Sequence, residues 1–206
     1  MPKTLSWEVS DAFWKKVESL IPKPARNPAK EYRRKPGGGR KPLEARRVFE
    51  GIVYVLRTGC QWKALPKEKF GSPSAVHRYF QDWEQAGVFL VERPAVTEQS
   101  PQHLCADKGY AGRPALASIR ARSYTPHVKQ RGEAIAEKKH IPGYRARRWV
   151  VEACHSWFNR FRKILVRYEK TLSSHIALIH LAAAIICFRK TGIIYVCPND
   201  SYWIKT

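Results

Sequence analysis

The chain has 206 residues, with 38 Lys and Arg against 17 Asp and Glu, a formal net charge of +21. An apolar share of 44% supplies a core for one or two small domains and excludes wholesale disorder, while the charge calls for a polyanionic partner, nucleic acid first. Five scattered cysteines, Cys60, Cys105, Cys154, Cys187 and Cys197, with no C-x-x-C pair, exclude a disulfide framework and a zinc ribbon and fit a reducing cytosol.

The opening MPKTLSWEVS is polar and Trp-containing, unlike a signal peptide. Trp7, Phe13, Trp14, Val17, Leu20 and Ile21 recur near helical spacing and predict a first helix over 5–22, ended by Pro22. The stretch KPARNPAKEYRRKPGGGRKP, residues 23–42, is rich in Pro, Gly and positive charge and reads as a basic linker without stable structure until it meets a partner. A second helix is predicted over 43–57, stopped at Thr58-Gly59. After the bend CQWKALPKEKFGSP, a third runs over about 74–85 with Val76, Tyr79, Phe80 and Trp83 on one side. Three short helices with basic joints suit a helix-turn-helix-like DNA-binding module, and equally a plain helical bundle.

Residues 88–102 show no clear period. His103–Ala106 is a short apolar run leading to Asp107 and Gly109, a strand that stops at a turn. Helix over 113–122 and strand over 124–128 complete a compact βαβ pattern. Such a unit pairs its strands in parallel and puts Asp107 at a carboxyl end, the edge where open α/β sheets bind ligands. Residues 130–147 read as a basic loop, 148–167 as one long helix, and 173–188 as a final helix that closes the core. The apolar run IALIHLAAAIICF within that helix is too short for a membrane span and carries His180, so it reads as buried. The tail 192–206 receives no role.

On a wheel at about 100° per residue, Arg148, Glu152, His155, Asn159 and Lys163 fall within about 80° of one another. Val150, Ala153, Cys154, Trp157, Phe158, Phe161, Ile164 and Leu165 take the opposite side. The stripe is either a solvated face with an Arg148–Glu152 pair worth a few tenths of a kcal/mol, or part of a functional site. Two carboxylates, Asp107 and Glu152, in surroundings crowded with arginine suit a divalent metal held beside a phosphate backbone.

At these residues the chain resembles the DDE-type transposases of bacterial insertion sequences, in the insertion-sequence-five group of the insertion-sequence-four superfamily. Three passages carry the likeness: RRVFEGIVYVLRTGCQWKALP with FGSPSAVHRYFQDWEQAGVF, then HLCADKGYAG, then RRWVVEACHSWFNRFRKILVRYEK running into HLAAAIICFRK. Together they cover most of residues 1–190. The resemblance implies an α+β chain: a three-helix DNA-binding module over 1–90, including the linker 23–42, followed over 91–206 by a truncated ribonuclease-H-like catalytic domain. It implies two magnesium ions held by an Asp, a second Asp and a Glu; by position the second Asp is Asp107 and the Glu is Glu152. Tyr144 and Arg148 loosely match the Tyr and Arg that precede the family's Glu. Asn159 stands where a basic residue is expected, with Arg160 one step later. Candidate DNA contacts are Arg33, Arg34, Lys35, Arg40, Lys41, Arg46, Arg47, Arg78, Arg148 and Arg160.

The first Asp of the family, in an Asp-Gly context on the first sheet strand, has no counterpart. Only Asp11, Asp82, Asp107 and Asp200 occur in the chain, and none lies in 88–102. Asp82 belongs to the third predicted helix, and Glu92 and Glu98 have no strand-like surroundings. An internal deletion that removed the first Asp and its strands accounts for this. It would leave at most a two-stranded sheet, which is marginal alone, and a magnesium site too incomplete for cleavage. The expectation is therefore a cytoplasmic, nucleoid-associated protein with no membrane partner. It would bind double-stranded DNA at insertion-sequence terminal inverted repeats, with self-association or association with intact transposase open to it, and would lack autonomous catalysis. Alternatives are a DNA-binding regulator of transposition, a general basic RNA-binding protein, and a remnant that folds poorly.

Overall fold

The computed structural model describes residues 7–23, 31, 41–90, 95–129, 132, 136, 140 and 148–191. Arg33, Arg34, Lys35, Arg40, Glu92, Tyr144 and the tail 192–206 lie outside them, as does the side chain of Arg148. The architecture is α+β, and contacts divide it into two units, one of residues up to 91 together with 159–195, the other chiefly of 92–158.

In the first unit, α1 (Asp11–Glu18) starts where the Ser10 hydroxyl accepts the Phe13 N–H at 3.3 Å. It is shorter than the predicted 5–22. The serine cap fixes its start, and Leu20, at 40% exposure, lies outside the buried stripe of Phe13, Trp14 and Val17. The next helix, α2 (Ala45–Thr58), buries Val48, Phe49, Ile52, Val55 and Leu56 completely. It ends at Gly59, whose φ of 73° only glycine adopts cheaply and whose N–H bonds the Val55 carbonyl. A Cβ there would also come within 2.8 Å of Arg162 Cβ, so glycine is required by space as well as by dihedral.

The predicted bend holds more order than expected: a 3₁₀ turn over Trp62–Ala64 and one helical turn, α3 (Lys67–Phe70), whose Phe70 is buried. Pro73 opens α4 (Pro73–Gln85) at a position where its missing N–H costs nothing, and Val76, Phe80 and Trp83 face the core.

The core of this unit is completed from the far end of the chain. The long helix expected over 148–167 is broken. Its first part ends at Phe158, and a single turn, α7 (Arg162–Leu165), follows the extended Phe161 (the earlier part is α6, below). Phe161, 1% exposed, leaves the helix in order to bury its ring. The final helix, α8 (Leu172–Thr191), packs on α4 and α7 and buries Ala177, Leu178, Leu181, Ala182 and Ile185. By length and apolar composition it could cross a membrane, which corrects the expectation that the run is too short. Its packing is that of a core helix. Ser174 donates to Glu84 Oε2 at 3.2 Å, and His180 Nδ1 donates to the Phe89 carbonyl at 2.9 Å.

The second unit holds β1 (Gln102–Cys105), α5 (Arg113–Ala121), β2 (Tyr124–His127) and α6 (Arg148–Phe158). The strands pair in parallel, with Gln102 opposite Tyr124 and Cys105 opposite His127, and form the two-stranded sheet found among the described residues. α5 packs on β2 and α6 on β1. Among the described residues of this unit only Val128 is buried, a thin core for a sheet of this size. Residues 130–147 were expected to form a loop. Of these, the described Gly132, Ala136 and His140 are helical.

Candidate functional site

β1 delivers Asp107 just beyond its carboxyl end. There the side chain caps the 3₁₀ turn Lys108–Tyr110, its Oδ1 accepting the Lys108 N–H at 2.6 Å. Glu152 stands in the second turn of α6, the helix packed against that strand, and both acids are exposed. The two acid-bearing elements are thus neighbours within one unit. Glu98 is the other described carboxylate there, exposed in a turn closed by Thr97 and Ser100. No group of three or more His, Cys, Asp or Glu close enough to hold a metal ion occurs among the described residues. Asp82 lies on α4, in the first unit. The described donors therefore do not fit a two-ion magnesium site.

The polar stripe predicted beside Glu152 is cut short by the break after Phe158. Asn159 falls outside the helix, and Lys163 is 5% exposed rather than solvated. Cys154 on α6 is half-buried, and desolvation pushes its thiol pKa up, away from nucleophilic use.

Two of the candidate DNA-contacting arginines are engaged in holding the first unit together. Arg46 pairs with Asp11 at 2.6 Å and Glu50 at 3.3 Å and donates to the Val9 carbonyl at 3.2 Å, joining α1 to α2; the Asp11 hydrogen bond raises its pKa. Arg47 donates to the carbonyls of Lys69 at 2.6 Å and Glu68 at 2.7 Å, fastening α3 to α2. Lys41, Arg78 and Arg160 are exposed.

A polar cluster that sequence reasoning passed over lies in a half-open cavity of about 590 Å³ in the same unit. Trp62 stacks on His77 (4.7 Å between centroids) and Phe80 (5.2 Å), and its indole Nε1 donates to Glu169 Oε1 at 3.2 Å. Lys163 Nζ lies 3.3 Å from the same oxygen. Burial lowers the pKa of His77; Glu169 opposes that shift and Lys163 adds to it. The unfolded chain therefore binds a proton at His77, near pH 6.5, before the native chain does. Stability should fall as pH drops through that value and level off below the native pKa. Denaturant unfolding at several pH values should show this fall reduced in His77→Gln.

Arg57 and Arg189 were also missed. Arg57 sits on the apolar face of α2, 8% exposed, with its guanidinium 3.9 Å from the Phe161 ring centroid. The available signal was its position one turn after Val53, a cation on a face otherwise given to the core.

Known proteins match along both halves of the chain. A family model described as "Putative transposase of IS4/5 family" matches residues 9–91, and one described as "Transposase DDE domain" matches residues 104–189. Two curated proteins of Burkholderia cepacia are similar. "Insertion element IS402 uncharacterized 16.2 kDa protein" is 37% identical over 82 residues, 39% of this chain and 52% of that protein. "Putative transposase for insertion sequence element IS402" is 31% identical over 90 residues, 44% of this chain and 40% of that protein. The matches thus span about half or less of these relatives' own length. No solved structure matches the chain.

Proposed function

Since the chain belongs to the DDE-type insertion-sequence transposases of the IS4/5 family, we propose that it is a DNA-binding transposase relative that no longer cleaves DNA by itself. The observation that carries this reading is the placement of Asp107 just past β1 and Glu152 on α6, elements packed together in a unit whose described residues hold a two-stranded sheet and no second aspartate. In two-metal hydrolysis the carboxylates hold ions that activate the attacking oxygen and stabilise the leaving one. Asp107 and Glu152 are the inherited part of that arrangement, within a ribonuclease-H-like remnant left by internal deletion. Because the described acids form no cluster that could hold a metal ion, no step runs through magnesium here.

DNA binding rests on the net charge of +21 and on the helical first unit, which presents Lys41, Arg78 and Arg160 at its surface. Double-stranded terminal inverted repeats are the target this reading names, in a bacterial cytoplasm at the nucleoid. A regulatory role follows if the protein occupies transposon ends or pairs with intact transposase, since binding without cleavage blocks the site. The decisive assay incubates end-bearing duplex with the full chain and magnesium. The expected result is a retarded complex and no nicking above background, unchanged by Asp107→Ala. Robust nicking that Asp107→Ala abolishes overturns the inactivity claim, and equal affinity for end-bearing and random duplexes removes the specific target.

A further inference from the structure

We propose that the cavity beside Trp62 is a site for an unpaired nucleobase, through which the chain holds a single strand of nucleic acid. The proposal goes beyond the duplex binding proposed above and does not rest on it. The cavity, of about 590 Å³, lies wholly within the first unit, and its volume falls in the range of about 300–1,000 Å³ usual for small-ligand sites. Three parts of the fold chiefly line it: Gln61 and Trp62 after α2, His77 and Gln81 on α4, and residues of the stretch 168–174 that leads into α8.

The walls are set before any ligand arrives. Trp62 is stacked on His77 and Phe80, and Glu169 receives both its indole N–H and the Lys163 ammonium. The Thr171 hydroxyl donates to Ser174 Oγ at 2.8 Å, and Ser174 in turn donates to Glu84 on α4. These groups satisfy one another. Binding therefore need not order them, and the cost of fixing side chains falls on the mouth alone.

The mouth is different. Tyr168 lines the cavity yet is 68% exposed, an aromatic ring left in water. Leu165, Val166, Leu172 and Ile176 are exposed in the same short stretch of chain. Apolar side chains left in water together mark a contact surface. Cations interleave them: Arg162, Arg167 and Lys170 are exposed, as is Lys63 beside Trp62. That charge repels a second copy of a chain carrying +21 and attracts a polyanion. The carboxylate that lines the cavity, Glu169, is already matched by Lys163.

An aromatic platform among cations is the arrangement that holds single strands, the ring stacking on a base while the cations follow the phosphates. In a duplex each base has its faces covered by its neighbours and its edge by its partner. A base therefore enters a half-enclosed cavity only when unpaired. Gln61 and Gln81, both exposed at the cavity, each carry an amide donor and acceptor, so the edge of any base finds a partner there. The site is accordingly tolerant of sequence.

The test uses the full chain, a fluorescent single-stranded oligothymidine and a random-sequence duplex. Tyr168→Leu keeps the apolar bulk and removes the ring at an exposed position, so its melting midpoint should match the wild type. Its affinity for the strand should fall by about 5- to 150-fold, the loss of one base–aromatic stack, with duplex affinity unchanged. Tyr168→Phe should bind the strand as the wild type does. Oligothymidine carrying 5-iodouracil should crosslink on irradiation to Tyr168 or Trp62 of the wild-type chain, a readout that needs no variant. No binding of the strand, an affinity unmoved in Tyr168→Leu, an equal loss for strand and duplex, or crosslinks confined to residues outside the cavity overturns the site. A chain that holds the strand through the cavity but binds no duplex sinks the duplex reading alone; one that binds duplex but no strand sinks the site alone.

Discussion

Replacing Glu169 by alanine should destabilise the first unit by about 3–5 kcal/mol, because it strands the Lys163 ammonium in the interior. The two side chains are 10% and 5% exposed and their charged atoms lie 3.3 Å apart. Each has given up most of its hydration shell, and the opposite charge is the main compensation, beside the Trp62 and Tyr168 rings that face the ammonium. Glu169 Oε1 also accepts the Trp62 indole N–H, so the substitution leaves a second donor without its acceptor. An exposed ion pair would be worth no more than about 1 kcal/mol, so the size of the loss reports burial directly. The double variant Lys163→Met/Glu169→Gln should recover most of that stability. It removes both charges while the glutamine oxygen still faces the indole, and apolar replacement of a buried pair is often neutral or favourable. Chemical denaturation of the wild type, the single variant and the double variant closes the cycle. A cost in Glu169→Ala below about 1 kcal/mol would show that the pair is solvated.

The same pair shows where sequence reasoning ran out. Lys163 lies on the polar side of a wheel drawn through 148–167, and Phe161 continues the apolar side, so nothing in the periodicity marks a break. The chain leaves the helix after Phe158 because Phe161 gains more by burying its ring beneath Arg57 than by continuing the stripe. Once it has turned, Lys163 points inward to an acid in the following loop. That is a tertiary preference overriding a local one, and no wheel contains it. The strand, turn and helix around Asp107 were legible because each is punctuated locally: an apolar run, an acid that caps the next turn, and a Gly-Arg-Pro helix start. Arg46 and Arg47 looked like surface cations because their partners, Asp11 and the Glu68 and Lys69 carbonyls, stand far away in sequence. Composition shows four aspartates, none in 88–102; that a first catalytic Asp is expected there is what the resemblance to the transposases implies.

Leu178→Ala on α8 should cost about 2–5 kcal/mol and lower the melting temperature of the first unit, although the residue lies some 90 positions beyond the last of the N-terminal helices. Leu178 is fully buried, and α8 packs on α4, so α1–α4 do not complete a core without it. A small domain has only about 5–15 kcal/mol of net stability, so losing one such side chain consumes a large share. Leu165→Ala, on α7 at 53% exposure, should stay close to wild type and serves as the control. A chain ending at residue 91 also loses Phe161, Ala177, Leu181, Ala182 and Ile185. It should melt broadly, without a cooperative transition, and should not hold the basic face in one geometry. The matched transposase segment at 9–91 thus depends for its fold on residues inside the segment matched at 104–189. On the function proposed above, that coupling would let DNA binding outlast catalysis: an internal deletion between the N-terminal helices and β1 would remove a carboxylate, whereas one that reached α8 would remove the core under the binding surface as well. A sharp, two-state melt of the 1–91 chain at the wild-type temperature would refute this dependence.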